Sequence, residues 1–495
     1  MKKILFIGFY EMKEYIIHIS NLFQKYNYDV INYPLFQYAY DTESKITNYK
    51  DHLNTFIQNN KPDIILWWFL DVPVSVFTHI KSGNNNIYFI MYNSDDPLNI
   101  NTETLEKAKI FNLIVTSCKE HINKYKIYSG VTNVKWLPPG YDPEYYFPMI
   151  NVERSITDIE TYSCDISICC YNLLLGNTYR QYVGRFELMT EIADYCKKNK
   201  KTFKIFGPFA LKEFFPNNYA GDIDYFNMYK IFNYSKINIS THEYCNKSLS
   251  ITPLEIRILG SGGLLFMDKI KDYKQVFKSD VNCVIFKKNK YITQIDQILS
   301  NYDKYENIRN NGYELSKLFT WENFVKTLHI EIMKFHFSPM LYKEFYIDEI
   351  KNHKQTFSLA ELWDIWLSIG LSNNHICYDF TVPKNFNYKY YAQENKQNLD
   401  NIKKLYVNWL KEGKPQEYEV SAVSEKQVKS NNLNIKSLNI NAEKLFELYT
   451  IFNSIKSYDK TETNKALCNL EIICKNNYGI KINECLEMYF NLCDK

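Results

Sequence analysis

The chain has 495 residues, of which 45% are hydrophobic, and a formal net charge of +3 at pH 7. This length and hydrophobic content suffice for two or three domains with buried cores. A charge so close to zero excludes a strongly basic nucleic-acid-binding protein. The 12 cysteines include no C-x-x-C pair, so a disulfide framework or zinc site is not expected. No apolar run approaches the ~18 residues of a membrane span, and we expect a cytoplasmic protein with reduced thiols.

The first part of the chain alternates short apolar runs with segments of helical length. The run at 4–7 is too short for a signal sequence and predicts a first buried strand. Further strands are predicted at 64–68, 87–91, 113–116 and 134–137. Strands separated by helices are typical of parallel βαβ units, so residues 1–150 are predicted to form a Rossmann-like domain. Ligands of such sheets bind beyond the carboxyl ends of the strands.

Two neighbouring carboxylates follow the predicted strand at 87–91. They are Asp95 and Asp96, directly before Pro97. At the carboxyl end of a strand, a carboxylate is placed to act as a general base toward a bound hydroxyl group. The alternative is that one of the two only caps the turn before the proline.

The second predicted domain spans residues 151–338 and begins with a strand at 164–170. The segment that follows carries Arg180 and Arg185, either of which could meet a phosphate at a helix start. Their directions on a helix differ by ~140°, so only one can face a cleft well. We favour Arg180, nearer the helix start. Gly207 follows the next predicted strand, which ends at Phe206.

Asp222 and Asp224 form a D-x-D pattern of the kind that binds metal ions in some enzymes. The apolar stretch at 226–234 follows directly, so we interpret Asp224 as the N-cap of a helix rather than a metal ligand. A strand is predicted at 237–240, with His242 at its carboxyl end. There His242 could donate to a phosphate or position a second substrate.

The stretch from 248 to 273 predicts a polar loop, a short helix, a glycine turn and a buried strand. Pro253 suits a first helical turn, and Glu255 follows on that turn. Gly262 and Gly263 end the helix and allow close backbone approach. A carboxylate near helix-end N–H groups can hold a nucleotide, although an ordinary helix–turn–strand has the same pattern.

This stretch resembles the donor segment of GT-B glycosyltransferases, most closely the spore-maturation (CgeB-like) and family-4-like group. The resemblance rests on a glutamate, a small-residue turn and an apolar strand that ends in aspartate, here Glu255, Ser261, Gly262, Gly263 and Asp268. The segments YNSDDP and PPGYD add to it, and it extends over about residues 2–333. Two positions depart from the pattern, since Thr252 replaces an arginine and Lys247 an earlier glutamate.

The resemblance implies two Rossmann-like domains facing a cleft and transfer of a hexosyl group from a nucleotide-diphospho-sugar to an unidentified acceptor. Glu255 would hold the ribose and the Gly262–Gly263 backbone the diphosphate. Further donor-binding residues would be Ser261, Thr252, Arg180 and Gly207, and the catalytic candidates are Asp95, Asp96 and His242. No cofactor or metal is implied. The alternatives are a non-catalytic scaffold that binds nucleotide sugars or glycans, and a sugar-nucleotide epimerase.

Residues 339–415 contain a weak repeat of 43 residues, in which Trp366-Leu367 corresponds to Trp409-Leu410. Such a period predicts paired helices whose Tyr and Trp side chains are buried. We expect this helical module to form a core of its own, to be separable near residue 340, and to be able to recruit a protein partner. A polar linker at 416–440 and a helical tail at 441–495 are predicted after it.

Overall fold

The computed structural model describes residues 2–8, 14–68, 70–97, 100–150, 155–170, 183–222, 224–242, 249–287, 289–380, 382, 386, 388–395 and 401–411. The chain divides into two compact units, Met1–Phe380 and Thr381–Lys495. Within the described part, none of the helices has the length and apolar character needed to cross a membrane.

The first sheet described has six parallel strands in the order β2-β1-β3-β4-β5-β6. They are β1 (Lys2–Gly8), β2 (Tyr28–Pro34), β3 (Ile64–Trp67), β4 (Tyr88–Asn93), β5 (Leu113–Thr116) and β6 (Val134–Trp136). The helices between them are α1 (Glu14–Gln24), α2 (Leu35–Tyr40), α3 (Tyr49–Asn60), α4 (Val74–Ser82), α5 (Thr102–Ala108) and α6 (His121–Ser129). Strands β3, β4 and β5 are buried throughout, which is why they read as unbroken apolar runs.

The second sheet described also has six parallel strands, in the order β12-β11-β10-β7-β8-β9. They are β7 (Cys164–Cys169), β8 (Phe203–Phe206), β9 (Tyr219–Gly221), β10 (Ser235–Ser240), β11 (Leu265–Met267) and β12 (Val284–Ile285). The accompanying helices are α7 (Ile156–Tyr162), α8 (Val183–Lys198), α9 (Leu211–Phe214), α10 (Met228–Tyr234), α11 (Pro253–Gly260), α12 (Tyr291–Ser300) and α13 (Glu306–Ser316). Two apolar clusters, one on each face, sandwich this sheet.

Helix α14 (Trp321–His336) returns from the second sheet to the first domain. Nδ1 of His329 and the Tyr28 hydroxyl share a hydrogen bond of 2.9 Å. Its Glu331 forms a 3.1 Å ion pair with Lys135. The helix therefore fastens the end of the second domain to the first.

The segment after α14 continues this packing. It contains α15 (Pro339–His353), α16 (Leu362–Ile365) and a π-helical turn (Trp366–Gly370). The Trp366 and His329 rings lie 5.7 Å apart, and the Lys2 ammonium sits 4.8 Å from the Tyr378 ring. The predicted boundary at 338 thus falls inside the first compact unit, which extends to Phe380.

The described residues of the second unit include two helices, α17 (Tyr388–Glu394) and α18 (Ile402–Lys411). Phe386 packs on Tyr406 and Trp409 with ring centroids 5.2 Å apart in each pair. Tyr391 and Trp409 are buried, as the repeat predicted. Residues 412–495, with the predicted linker and tail, lie outside the described residues.

Candidate functional site

Helix α11 begins with a capping box. Thr252 is its N-cap in an extended conformation, and Pro253 occupies the first helical position. The backbone N–H and the hydroxyl of Thr252 both donate to Oε2 of Glu255, each at 2.7 Å. The threonine that departs from the family pattern is thus used locally, because its hydroxyl fixes the glutamate and the helix start together.

Glu255 is completely buried and its carboxylate is saturated by protein groups. Besides the two bonds from Thr252, the Ser240 hydroxyl donates to Oε1, and Nε2 of His242 forms an ion pair with Oε1 at 3.2 Å. An ionised carboxylate offers about four acceptor positions, and these contacts fill them. A direct bond from Glu255 to ribose would require one of these contacts to break.

His242 lies fully buried between two carboxylates. Its Nδ1–H donates to Oδ1 of Asp268 at 2.8 Å, and its backbone N–H reaches both oxygens of Asp268 at 2.9 Å. Burial alone would lower the pKa of His242, but Glu255 and Asp268 raise it to about 10. Burial alone would raise the pKa of Glu255, yet the charge on His242 lowers it. The cluster is an imidazolium held by two carboxylates.

A cavity of about 480 Å³ opens beyond the carboxyl ends of β10, β11 and β12, and we call it the sheet-edge cavity. Its volume lies in the range of small-molecule sites, and its position is the one expected for ligands of open parallel sheets. Polar and charged groups from four segments line it, among them Arg185, Thr241, Asp268, Lys269, Lys290 and Tyr291.

Arg185 is oriented by the end of strand β10. Its Nε donates to the Thr241 hydroxyl at 2.7 Å, and Nη2 donates to the Thr241 carbonyl at 3.1 Å. The arginine that the sequence favoured, Arg180, lies outside the described residues. The structure places Arg185 at the sheet-edge cavity.

The predicted glycine turn closes helix α11 at its other end. Gly262 has a φ of +71°, and its N–H donates to the carbonyl of Leu259 at 2.9 Å. The N–H of Gly263 donates to the carbonyl of Ile258 at 2.9 Å, completing a Schellman motif. Both amides are used inside the protein, and their contact with a diphosphate stays a prediction. Ser261 is buried beside them and its N–H bonds to the helix.

Gly207 allows two strand ends to approach each other. A Cβ at this position would lie 2.1 Å from the carbonyl oxygen of Cys170. Its N–H donates to the carbonyl of Gly221 at 2.9 Å. These contacts give Gly207 a role in strand packing, and its contact with a ligand stays a prediction.

The two aspartates after β4 differ in their surroundings. Asp96 is buried, and it accepts a hydrogen bond from Thr116 at 2.5 Å and pairs with Nδ1 of His121 at 2.5 Å. Asp95 is exposed. Asp96 therefore anchors its loop through these two contacts. Asp95 is the accessible carboxylate of the two.

Asp96 also belongs to a group of side chains that could hold a metal ion. Ligand atoms of Asp96, Cys118 and His121 lie within 4.8 Å of one another, and the described residues offer no other such group. Asp222 and Asp224 are not part of it. Helix α10 begins only at Met228, so Asp224 is not its N-cap as predicted. Instead Asp224 accepts a hydrogen bond from the Phe226 N–H at 3.1 Å, which closes a local turn.

The first domain holds the loop that leads into α11. The Glu120 carboxylate accepts the Leu249 N–H at 2.9 and 3.0 Å. Cys118 and Ser250 form an isolated antiparallel bridge, and the Ser250 hydroxyl donates to the Asp96 carbonyl at 3.2 Å. The structure thereby brings the Asp95–Asp96 loop next to the start of α11.

Sequence reasoning did not select Asp268 and Glu120 as site residues. Asp268 had a usable signal, because it ends the apolar strand β11 and carboxyl ends of parallel strands meet at one edge. Glu120 had none, since it depends on a contact with Leu249, 129 residues later.

The comparisons with known proteins agree with this architecture. Residues 186–329 match the family model described as "Glycosyl transferase-like", which covers most of the second sheet and α14. No curated protein matches the chain significantly. Sucrose-phosphate synthase from Thermosynechococcus elongatus is similar, with a TM-score of 0.50 and 9% identity over 68% of this chain and 99% of that chain. HepE from Anabaena, solved with UDP, has a TM-score of 0.48 and 12% identity over 68% of this chain and 100% of that chain. The likeness to the synthase confirms the predicted fold class, so the chain has two Rossmann-like domains in the GT-B arrangement.

Proposed function

We propose that this chain is a glycosyltransferase that moves a hexosyl group from a nucleotide-diphospho-sugar to a hydroxyl-bearing acceptor without a metal ion. One observation carries the proposal: the glycosyl transferase-like match at 186–329 coincides with the domain that holds the sheet-edge cavity and its buried ionic cluster. Membership of the CgeB-like group remains a prediction from the sequence motif.

The reaction breaks the bond between the anomeric carbon and the diphosphate oxygen and forms a bond from that carbon to the acceptor oxygen. The leaving diphosphate gains negative charge, which fixed cations stabilise. Arg185, Lys269 and Lys290 line the cavity and are described cations suited to this role. This supply of positive charge supports a metal-independent reaction.

The acceptor hydroxyl must lose a proton as its oxygen attacks. Asp95 is the exposed carboxylate on the loop that adjoins the start of α11. We assign it the role of general base. Asp96 supports it by fixing the loop through Thr116 and His121.

A second candidate is a non-catalytic scaffold that binds a nucleotide sugar. The observation that favours it is the saturated carboxylate of Glu255, because the residue expected to grip the ribose is already bound by protein groups. The presence of Lys247 in place of the family's earlier glutamate points the same way.

The experiment uses the full-length protein with UDP-, GDP-, ADP- and CMP-sugars. A ligand at 100 times its Kd should raise the free energy of unfolding by about 2.7 kcal/mol, which a thermal shift detects. We expect one donor class to bind and to be hydrolysed slowly without acceptor, with EDTA present. If none binds, the proposal is contradicted. Binding without turnover across an acceptor panel supports the scaffold, and activity lost in EDTA and restored by manganese contradicts metal independence.

A further inference from the structure

We propose that Asp268 is the carboxylate that accepts hydrogen bonds from vicinal hydroxyls of a nucleotide sugar in the sheet-edge cavity, while His242 and Glu255 hold it in place. The inference rests on the proposed function and deepens it. It moves the hydroxyl-binding role from Glu255 to Asp268, which the sequence motif includes only as the end of its apolar strand.

Asp268 is more accessible to a ligand than Glu255 is. The Glu255 side chain has no exposed surface, whereas 19% of the Asp268 side chain is exposed. Asp268 also lines the sheet-edge cavity, and Glu255 is not among the residues that line it. Of the two carboxylates, Asp268 is therefore the one that a ligand in the cavity can reach without displacing protein groups.

The Asp268 carboxylate can accept further hydrogen bonds. Oδ1 of Asp268 accepts bonds from the backbone N–H and Nδ1–H of His242, and Oδ2 shares the backbone N–H. Among the described residues, no other group donates to Oδ2. Since a carboxylate oxygen accepts about two hydrogen bonds, Oδ2 retains capacity for a ligand hydroxyl.

The orientation of the Asp268 carboxylate is fixed by its neighbours. His242 reaches Asp268 through both its backbone and its ring, and its other ring nitrogen pairs with Glu255. A carboxylate fixed at several points loses little freedom when a ligand binds, which favours affinity. Glu255 and His242 are positioning residues in this arrangement.

The chemistry around Asp268 defines the class of ligand. Lys269 and Lys290 line the same cavity and are exposed, and Arg185 contributes a guanidinium. A carboxylate suits a diol, and cations suit phosphate oxygens. A nucleotide sugar offers both, with its diol either on the ribose or on the transferred sugar.

The first measurement is calorimetric titration of the full-length protein with UDP, GDP, ADP and CDP. Asp268→Asn is compared with the wild type and with Asp272→Asn. Asp272 is a matched control, because it is exposed, lies four residues on, does not line the cavity, and has a φ of 55° that asparagine tolerates. We expect Asp268→Asn to weaken binding of the nucleotide or of its glucose ester by about 10-fold or more, the effect of losing a charge-assisted hydrogen bond, and Asp272→Asn to match the wild type.

Two further ligands distinguish the sources of the diol. If the ribose supplies it, the wild type binds the 2′,3′-dideoxy nucleotide about 10-fold more weakly, and Asp268→Asn no longer discriminates. If the transferred sugar supplies it, the wild type and Asp268→Asn bind the bare nucleotide equally and differ on its glucose ester. Either pattern supports the assignment.

Other outcomes overturn it. Equal binding of all three ligand forms by Asp268→Asn and the wild type removes Asp268 from the site and leaves the proposed function standing. Failure of the wild type to bind any of the four nucleotides or their glucose esters overturns the proposed function, and the assignment with it. If Asp268→Asn does not fold, the affinities of the wild type for the three ligand forms decide. Equal wild-type affinity for the nucleotide, its dideoxy form and its glucose ester contradicts the assignment.

Discussion

At the scale of single residues, the centre of the site is an imidazolium between two carboxylates. Sequence position placed His242 at the end of a strand and Glu255 on the first turn of α11. Neither position shows that the two side chains are buried and paired. That depends on β10 and β11 being adjacent in the sheet, which brings Asp268 to His242 from 26 residues away.

We predict that His242→Gln lowers the free energy of unfolding by about 3–5 kcal/mol, because it leaves the buried Glu255 carboxylate and the partly exposed Asp268 carboxylate without their cation. Urea denaturation of the variant and the wild type measures this difference. His79→Gln serves as the control, since His79 is an exposed residue paired with the exposed Asp51. Equal losses in the two variants would show that the buried pairing is not the cause.

The same cluster predicts a pH dependence. The pKa of His242 rises from 6.5 to about 10 on folding. Its contribution to stability is therefore complete below pH 6.5 and declines as the pH rises toward 10. The lowered pKa of Glu255 adds stability that is present above 4.5 and lost as the pH falls. Denaturation curves should show a decline between pH 6.5 and 10 that is absent in His242→Gln. Parallel pH profiles of the two proteins would contradict the assignment.

At the scale of elements, sequence patterns identified the central strands and the edge strand β6, and missed the other three edge strands. The three strands not predicted, β2, β9 and β12, all lie at sheet edges. Strands β2 and β9 are only partly buried, and β12 has two residues. These three strands lack the long unbroken apolar run that burial on both faces imposes, so the pattern used for the central strands did not detect them.

Helix α11 supplies the prediction at this scale. Gly262 and Gly130 both follow a helix with a φ near +70°, so an alanine costs about 1–2 kcal/mol at either. A Cβ at Gly262 would also lie 3.1 Å from Cβ of Pro148, whereas Gly130 has nothing within 4 Å. We expect Gly262→Ala to be less stable than Gly130→Ala by about 1 kcal/mol in thermal unfolding. The nucleotide affinity of Gly262→Ala should stay unchanged. Weaker nucleotide binding at unchanged stability would support the predicted contact between Gly262 and the donor.

At the scale of the whole molecule, the two Rossmann-like domains were predictable because parallel strands and helices leave regular patterns. The extent of the first compact unit was not predictable from the sequence. Trp366 has the sequence context of a repeat module with its own core, yet it packs on His329 of α14. Such a contact depends on the path that the chain takes after α14, and residue patterns do not encode that path locally.

Truncation tests this boundary. A chain that ends at Met340 loses Trp366 and the contact between Cys377 and Met333, whose sulfur atoms lie 3.6 Å apart. Removing one buried Trp costs about 3–5 kcal/mol, so we expect this chain to be insoluble or to melt well below the full-length protein. A chain that ends at Phe380 should keep the melting temperature of the first unit. A stable, nucleotide-binding product of the shorter truncation would restore the predicted boundary near 338.

The role of Asp268 in a glycosyltransferase site is tested most directly by measuring how fast the nucleotide is released from a nucleotide sugar. Chromatography measures this release for three full-length proteins side by side. They are the wild type, Asp272→Asn and Asp268→Asn. We expect equal release by the first two proteins and release at least about 10-fold slower by Asp268→Asn. A wild type that binds the nucleotide sugar but releases nothing, with or without acceptors, would contradict the proposed function and identify the chain as a binding scaffold.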